Sequence, residues 1–147
     1  MANNLQNIVS KLEHQTFATR SGTHMHSRLM HVIINDVSKG DSELVNIVSQ
    51  DKMLSYLFSS QSRTEVPIAG YVKNRFVSRR IDRLLIDDTT KTVFILDYKT
   101  DTDKRVFREK YISQLAEYSA LLSQIYPGYD IKKYLLWTND WTLEQIL

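Results

Sequence analysis

The stretch from Arg79 to Thr100 constrains the fold more than any other part of the chain. It reads Arg-Arg-Ile-Asp-Arg-Leu-Leu-Ile, then Asp-Asp-Thr-Thr-Lys, then Thr-Val-Phe-Ile-Leu-Asp-Tyr-Lys-Thr. Two runs of β-branched and aliphatic residues around a polar turn predict an antiparallel hairpin. Its open end is chemically odd. Asp82 on the first strand, and Asp97 and Lys99 on the second, stand where an interior strand should be apolar. Side chains alternate faces along a strand, so Asp97 and Lys99 share a face with Val93 and Ile95. If Ile86 pairs with Lys91 or with Val93, Asp82 falls opposite Ile95 or Asp97 on that same face. Two carboxylates and an ammonium on an apolar sheet face are costly to bury without a partner, and a divalent cation is the simplest one. An Asp–Lys ion pair at a sheet edge is the plain alternative, and a lone Asp-x-Lys would be read that way.

The tripeptide has company. Glu65-Val66-Pro67, Arg80-Ile81-Asp82-Arg83, Ile95-Leu96-Asp97-Tyr98-Lys99-Thr100 and Gln114-Leu115-x-x-Tyr118 follow one another along the chain. In that order they resemble the PD-(D/E)xK nuclease superfamily, with the closest likeness to the C-terminal nuclease domain of AddA/RecB-type helicase-nucleases, which process double-strand DNA breaks in bacteria. The resemblance spans roughly residues 20 to 147, and its specificity lies in the motifs taken together. It implies an α/β (α+β), restriction-endonuclease-like core, with a central mixed sheet of about four to five strands flanked by helices. The nuclease domain would occupy residues 21–147. Residues 1–20, with Leu5, Ile8, Val9 and Leu12 at helical spacing, would form an N-terminal helix or an arm linking to an upstream helicase domain.

The resemblance further implies a Mg²⁺- or Mn²⁺-dependent deoxyribonuclease of exonuclease type, acting in break repair and recombination. Asp82, Asp97 and Lys99 would be catalytic. The metal would be held by His26, Asp82, Asp97 and the backbone carbonyl of Tyr98, a mostly hard-oxygen set suited to these cations. Gln114 and Tyr118, four apart and so on one side of a helix, would orient the site or the DNA strand. Glu65 is either a further member of the site or a strand-edge carboxylate.

Other segments place these residues. Ser21-Gly22-Thr23 signals a helix start. In the helix that follows, His26, Leu29, Met30 and Ile33 share one face, while His24, Arg28, His31 and Asn35 share another. His26 is therefore the histidine expected to point inward, where the family's Gly-Thr-x-x-His motif supplies a metal ligand; a hydrogen-bonded core histidine is the alternative. Residues 42–59 read as one helical scaffold segment after the break at Gly40-Asp41. Residues 65–69 read as a first strand, 100–108 as a charged loop, Tyr111 to Ile125 as a helix, Ile131 to Thr138 as the final strand, and Leu143 to Leu147 as a closing tail. Lys73, Arg75, Arg79, Arg80 and Arg83 cluster near the hairpin, as a DNA-phosphate-tracking edge or as solvated charge.

Composition narrows the function class. The absence of cysteine excludes the iron–sulfur cluster that some nucleases of this superfamily carry. A formal charge of +2 gives no strong polyanion affinity by itself, so any nucleic-acid footprint must come from local arrangement. No apolar run is long enough to span a membrane and the first residues are polar, so a cytoplasmic protein is expected. With no phosphate-binding Gly-x-x-x-x-Gly-Lys-Ser/Thr loop, any helicase activity would belong to another domain or a partner subunit. Two other classes stay open: a non-catalytic DNA-binding or docking module, and a restriction- or resolvase-type endonuclease.

Overall fold

The computed structural model describes Gln6 and residues 24–100 and 104–147, so the N-terminal arm and the Ser21-Gly22-Thr23 helix start lie outside the described residues. Along the chain come α1 (24–30), α2 (Ser42–Ser49), α3 (Lys52–Leu57), β1 (Arg63–Val72), β2 (Arg75–Asp87), β3 (Thr92–Lys99), α4 (Lys104–Ile125), β4 (Asp130–Trp137) and β5 (Thr142–Ile146). The hairpin expected from the sequence forms between β2 and β3, with Ile86 opposite Val93. The five strands make one mixed sheet in the order β1-β2-β3-β4-β5. Only β3 and β4 run parallel. Parallel neighbours need a crossover, and α4 supplies it.

Helices cover both faces of the sheet. Leu115, Tyr118, Leu121 and Leu122 of α4 pack on Val93, Ile95 and Leu135. On the other face Leu29, Val32, Leu44, Val48, Leu54 and Leu57 pack on Leu85, Leu96 and Leu136. Double burial explains why β3 reads as an unbroken apolar run rather than an alternating one. A mixed, helix-flanked five-stranded sheet is thus the architecture, as the sequence led one to expect. Among the described residues no helix is long and apolar enough to cross a membrane.

Several boundaries differ from the sequence reading, each for a local reason. The first strand runs on to Val72 and turns into β2 through Lys73 and Asn74, at φ +51° and +63°. Two consecutive positive φ values are the signature of a tight hairpin turn, here built without the glycine that usually advertises one. The 42–59 segment is two helices, because Asp51 accepts the Leu54 N–H at 2.8 Å and starts a new one. α1 ends by residue 30, so Ile33 leaves the helix and bridges to Lys39. The charged stretch expected as a loop is helical from Lys104 onwards, with 101–103 outside the described residues. β4 is not the last strand, since the closing tail pairs with it as β5.

Arg83 departs furthest from expectation. Grouped by sequence with the DNA-facing basic cluster, it is instead only 1% exposed. Its Nε donates to the Tyr98 hydroxyl at 2.8 Å and its Nη1 to Ser62 Oγ at 2.6 Å. Its Nη2 donates to the carbonyls of Leu29 and Val32, each at 3.0 Å, and the guanidinium lies 4.0 Å from the Phe58 ring centroid. The Leu29 carbonyl, which also takes the Val32 N–H at 3.0 Å, and the Val32 carbonyl just past α1 are tied to the sheet by this cation. Removing it strips a charged donor from four buried or part-buried acceptors, each left unpaired being a loss of about 1–3 kcal/mol. Arg83→Met should therefore cost on the order of 3 kcal/mol or more in urea unfolding, whereas Arg80→Ala, which breaks an exposed ion pair with Glu65, should cost less than about 1 kcal/mol. Equal effects of the two substitutions would contradict this assignment.

Candidate active site

The site forms where the sheet parts. The β2–β3 pairing stops at Arg83 opposite Leu96, and the β1–β2 pairing omits Glu65 and Asp82 between Thr64–Arg83 and Val66–Ile81. Side-chain alternation slips at the same point. Val77 and Ile81 join the α4 core, and so does Leu84, an odd step further on, while Leu85 joins the opposite core. Across from Asp82, Glu65 sits at φ +52°, a conformation that costs a non-glycine residue energy and is typical of functional sites. Asp82 is thereby left out of both ladders, and its Oδ2 accepts the Tyr98 N–H at 2.8 Å.

Around this gap five of the expected groups meet. Asp82 and Asp97, 9% and 3% exposed, lie near enough for the charge of Asp97 to act on the Asp82 carboxyl. His26, on the half-buried side of α1, turns Nδ1 to within 3.5 Å of Asp82 Oδ1, and its Nε2 lies 3.0 Å from the Tyr98 carbonyl, to which it donates in the Nε2–H tautomer. His24 is exposed, as the helical register predicts. Lys99 brings its Nζ to 2.8 Å from the buried Asp97 Oδ2, an ion pair at charge-assisted hydrogen-bond distance.

A second tier holds Lys99 from α4. Gln114 Oε1 accepts from its Nζ at 3.1 Å, and the ammonium lies 4.1 Å from the Tyr111 ring centroid. Tyr118 donates to the Arg80 carbonyl at 3.2 Å; burial, then the nearby charges of Asp97 and Asp82, push its hydroxyl pKa upward. Tyr111 was read from sequence only as part of the helix's inward face; its place three residues before Gln114, on the same side, was the available signal. Glu65 pairs with Arg80 at 3.6 Å. The rest of the basic cluster does not converge on the site: Arg75 and Arg79 flank Glu117 of α4 at 3.9 and 3.0 Å, and Lys73 sits in the hairpin turn.

Burial first, then the charge of Asp97, hold the Asp82 carboxyl far above the usual carboxylate range, against the pull of the Tyr98 N–H and Lys99. Among the described residues no three His, Asp or Glu side chains stand as a ready-made chelate. The donor set nonetheless suits a hard divalent cation: two crowded carboxylates, served by a single lysine, beside an imidazole and a carbonyl. The 3.0 Å between His26 Nε2 and Tyr98 O is the spacing of adjacent ligands around an ion with bonds of about 2.1 Å. No protein-family model and no curated protein matches the chain, so the reading of the site rests on geometry and chemistry.

The raised pKa fixes the sign of a pH effect. In the absence of metal, folded Asp82 keeps a proton that the unfolded chain releases near pH 4, about the ordinary value for aspartate. The stability this contributes is complete below that pH and is lost as pH rises through the folded-state value. Thermal melts in EDTA from about pH 5 to about pH 9 should show a decline that Asp82→Asn flattens. Parallel pH profiles for the two proteins would contradict a proton held on Asp82 as the cause.

Proposed function

We propose that the chain is a metal-dependent deoxyribonuclease of the PD-(D/E)xK type, built on a restriction-endonuclease-like core and hydrolysing phosphodiester bonds with little sequence preference. The observation that carries this is the meeting of Asp82, Asp97 and Lys99 at the parting of β2 and β3, with His26 and the Tyr98 carbonyl on its rim. A salt bridge at a sheet edge needs one carboxylate and no second buried one. Two acids crowded until one is forced to keep a proton describe a site waiting for more positive charge than Lys99 supplies.

Asp82, Asp97, His26 and the Tyr98 carbonyl would hold Mg²⁺ or Mn²⁺, which supplies Lewis acidity to the phosphate and lowers the pKa of a bound water. The protein's own groups do the positioning. Asp97 and Gln114 fix the Lys99 ammonium between them, and the Tyr111 ring beneath limits its motion. Held there, Lys99 orients the attacking water and offers its charge to the oxygens that become more negative as the bond breaks. Tyr118 ties α4 to the β2 backbone two residues before Asp82, keeping the two carboxylate-bearing strands in register with the helix. Action on double-strand breaks, and work beside a helicase domain or subunit, follow from the family likeness.

In-gel digestion of single- and double-stranded DNA with Mg²⁺, Mn²⁺ or EDTA tests the reading. Asp97→Ala and Lys99→Ala should each lower cleavage by about a hundredfold or more while keeping a wild-type circular-dichroism spectrum. Full activity in either folded variant would overturn the proposal. The two histidines give a separate test. His26→Ala should raise the Mn²⁺ needed for half-maximal cleavage by about tenfold or more and shrink the metal-induced rise in Tm, because a ligand of the native state has been removed. His24→Ala should change neither; the reverse pattern would dismiss His26 as a ligand.

A further inference from the structure

A cross-strand aromatic pair stands in water near the tip of the β1–β2 hairpin. Tyr71 and Phe76 are register partners with ring centroids 5.6 Å apart at 69°, yet they are 65% and 60% exposed. Ile68 and Val77 turn into the α4 core, so Tyr71 and Phe76, at odd steps from them, turn to the other face of the sheet. The strand beneath is held from behind: Gln124 Nε2 donates to the Tyr71 carbonyl at 2.9 Å, and Gly70 lies so near Leu121 that a Cβ there would meet its Cδ2 at 2.9 Å. The rings therefore rest on a fixed base. The pair leaves well over half of each ring's residue open to water.

The segment from 63 to 80 is basic, with Arg63, Lys73, Arg75, Arg79 and Arg80 against Glu65, although the whole chain carries only +2. Arg75 and Arg79 turn to Glu117 on the α4 side, so the cations left for the aromatic face are Lys73 in the exposed turn and Arg80. Arg80, with its side chain 70% exposed, shares a face with Phe76 and lies two residues from Asp82. Phe76, Arg80 and Asp82 fall at even steps along β2 and mark a line of about 20 Å, at about 3.3 Å per residue, from the aromatic pair to the carboxylates. His26 meets Asp82 at the end of that line.

We infer that the β1–β2 hairpin is a docking platform for single-stranded DNA, with bases stacked on Tyr71 and Phe76 and a backbone phosphate at Arg80, leading the strand to the site between β2 and β3. The inference deepens the nuclease reading and rests on it for the destination of the strand, though not for the stacking. Aromatic rings accept any base, which suits an enzyme without sequence preference, and a duplex hides the base faces that the rings would take. Single strands are thus the substrate class that the platform selects.

The test is equilibrium binding in EDTA, read by anisotropy, of a fluorescein-labelled dT oligomer of about 20 nucleotides, an abasic oligomer of the same length and a blunt duplex. Wild-type protein should prefer dT to both. Tyr71→Ala/Phe76→Ala, which should keep the fold with Tm lowered by only a few degrees, should lose roughly ten- to a hundredfold in dT affinity and keep its abasic affinity. The salt dependence should not change, since no phosphate contact is removed. Tyr71→Trp/Phe76→Trp should keep dT binding. Equal dT affinity in wild type and the double alanine variant overturns the inference, as does wild-type binding of dT and abasic oligomers alike. So does a dimer, seen in sedimentation, that the alanine variant dissolves with dT binding intact, because the face would then be a self-association surface. Tighter ring-dependent binding of an rU oligomer would overturn the assignment to DNA. Ring-dependent dT binding by a protein that cleaves no DNA with any metal would remove the nuclease reading and leave the platform standing.

Discussion

Two carboxylates forced together inside the sheet are the feature on which the rest of the structure depends. Asp82 and Asp97 come from neighbouring strands, are nearly excluded from water, and have one lysine between them and electroneutrality. Burying such a pair is unfavourable unless it keeps a proton or gains a cation. The sheet accommodates it by giving up regularity at one point: both ladders skip Asp82, the alternation slips there, and Glu65 opposite takes a left-handed backbone conformation. Strain and crowded charge at a single position are what a fold retains for function rather than for stability.

The two helical layers each reach this point through one polar contact system. From one side, Arg83 gathers the end of α1, the Tyr98 hydroxyl and Ser62 around a buried guanidinium, and α1 in turn carries His26 to Asp82 and to the Tyr98 carbonyl. From the other side, α4 holds Lys99 through Gln114 and Tyr111 and grips the β2 backbone through Tyr118. Arg83 touches none of the reacting groups we assign, but it fixes the helix and the tyrosine that bear two of them. It is a positioning residue, and its burial takes it out of any DNA-facing surface.

Much of this was legible in the sequence, and what was not has physical causes. The β2–β3 hairpin, the shared face of Asp97 and Lys99, the inward histidine and the Gln114–Tyr118 side of α4 all followed from periodicities of two and of 3.6 residues, which local sequence carries directly. The slip at Asp82 did not, because a break in alternation is set by how three strands compete for one residue, and the β2 residues on either side of it are apolar or basic without pattern. Arg83 was misplaced because a basic residue beside two other arginines reads as surface; three of its acceptors, Ser62 and the carbonyls of Leu29 and Val32, lie more than twenty positions away, where sequence gives no sign of the contact. The β1–β2 turn was missed because Lys73-Asn74 lacks the Asn-Gly form that announces it.

The central claim is that Asp82, whose carboxyl burial and Asp97 keep protonated, gives up that proton when a divalent cation binds beside the two carboxylates. Calorimetric titration of the protein with Mn²⁺ near pH 7, repeated in two buffers of different ionisation enthalpy, counts the protons released per ion bound. The expected result is binding accompanied by proton release approaching one, with both lost in Asp82→Asn. Binding without release, or binding unchanged in Asp82→Asn, would contradict the exchange.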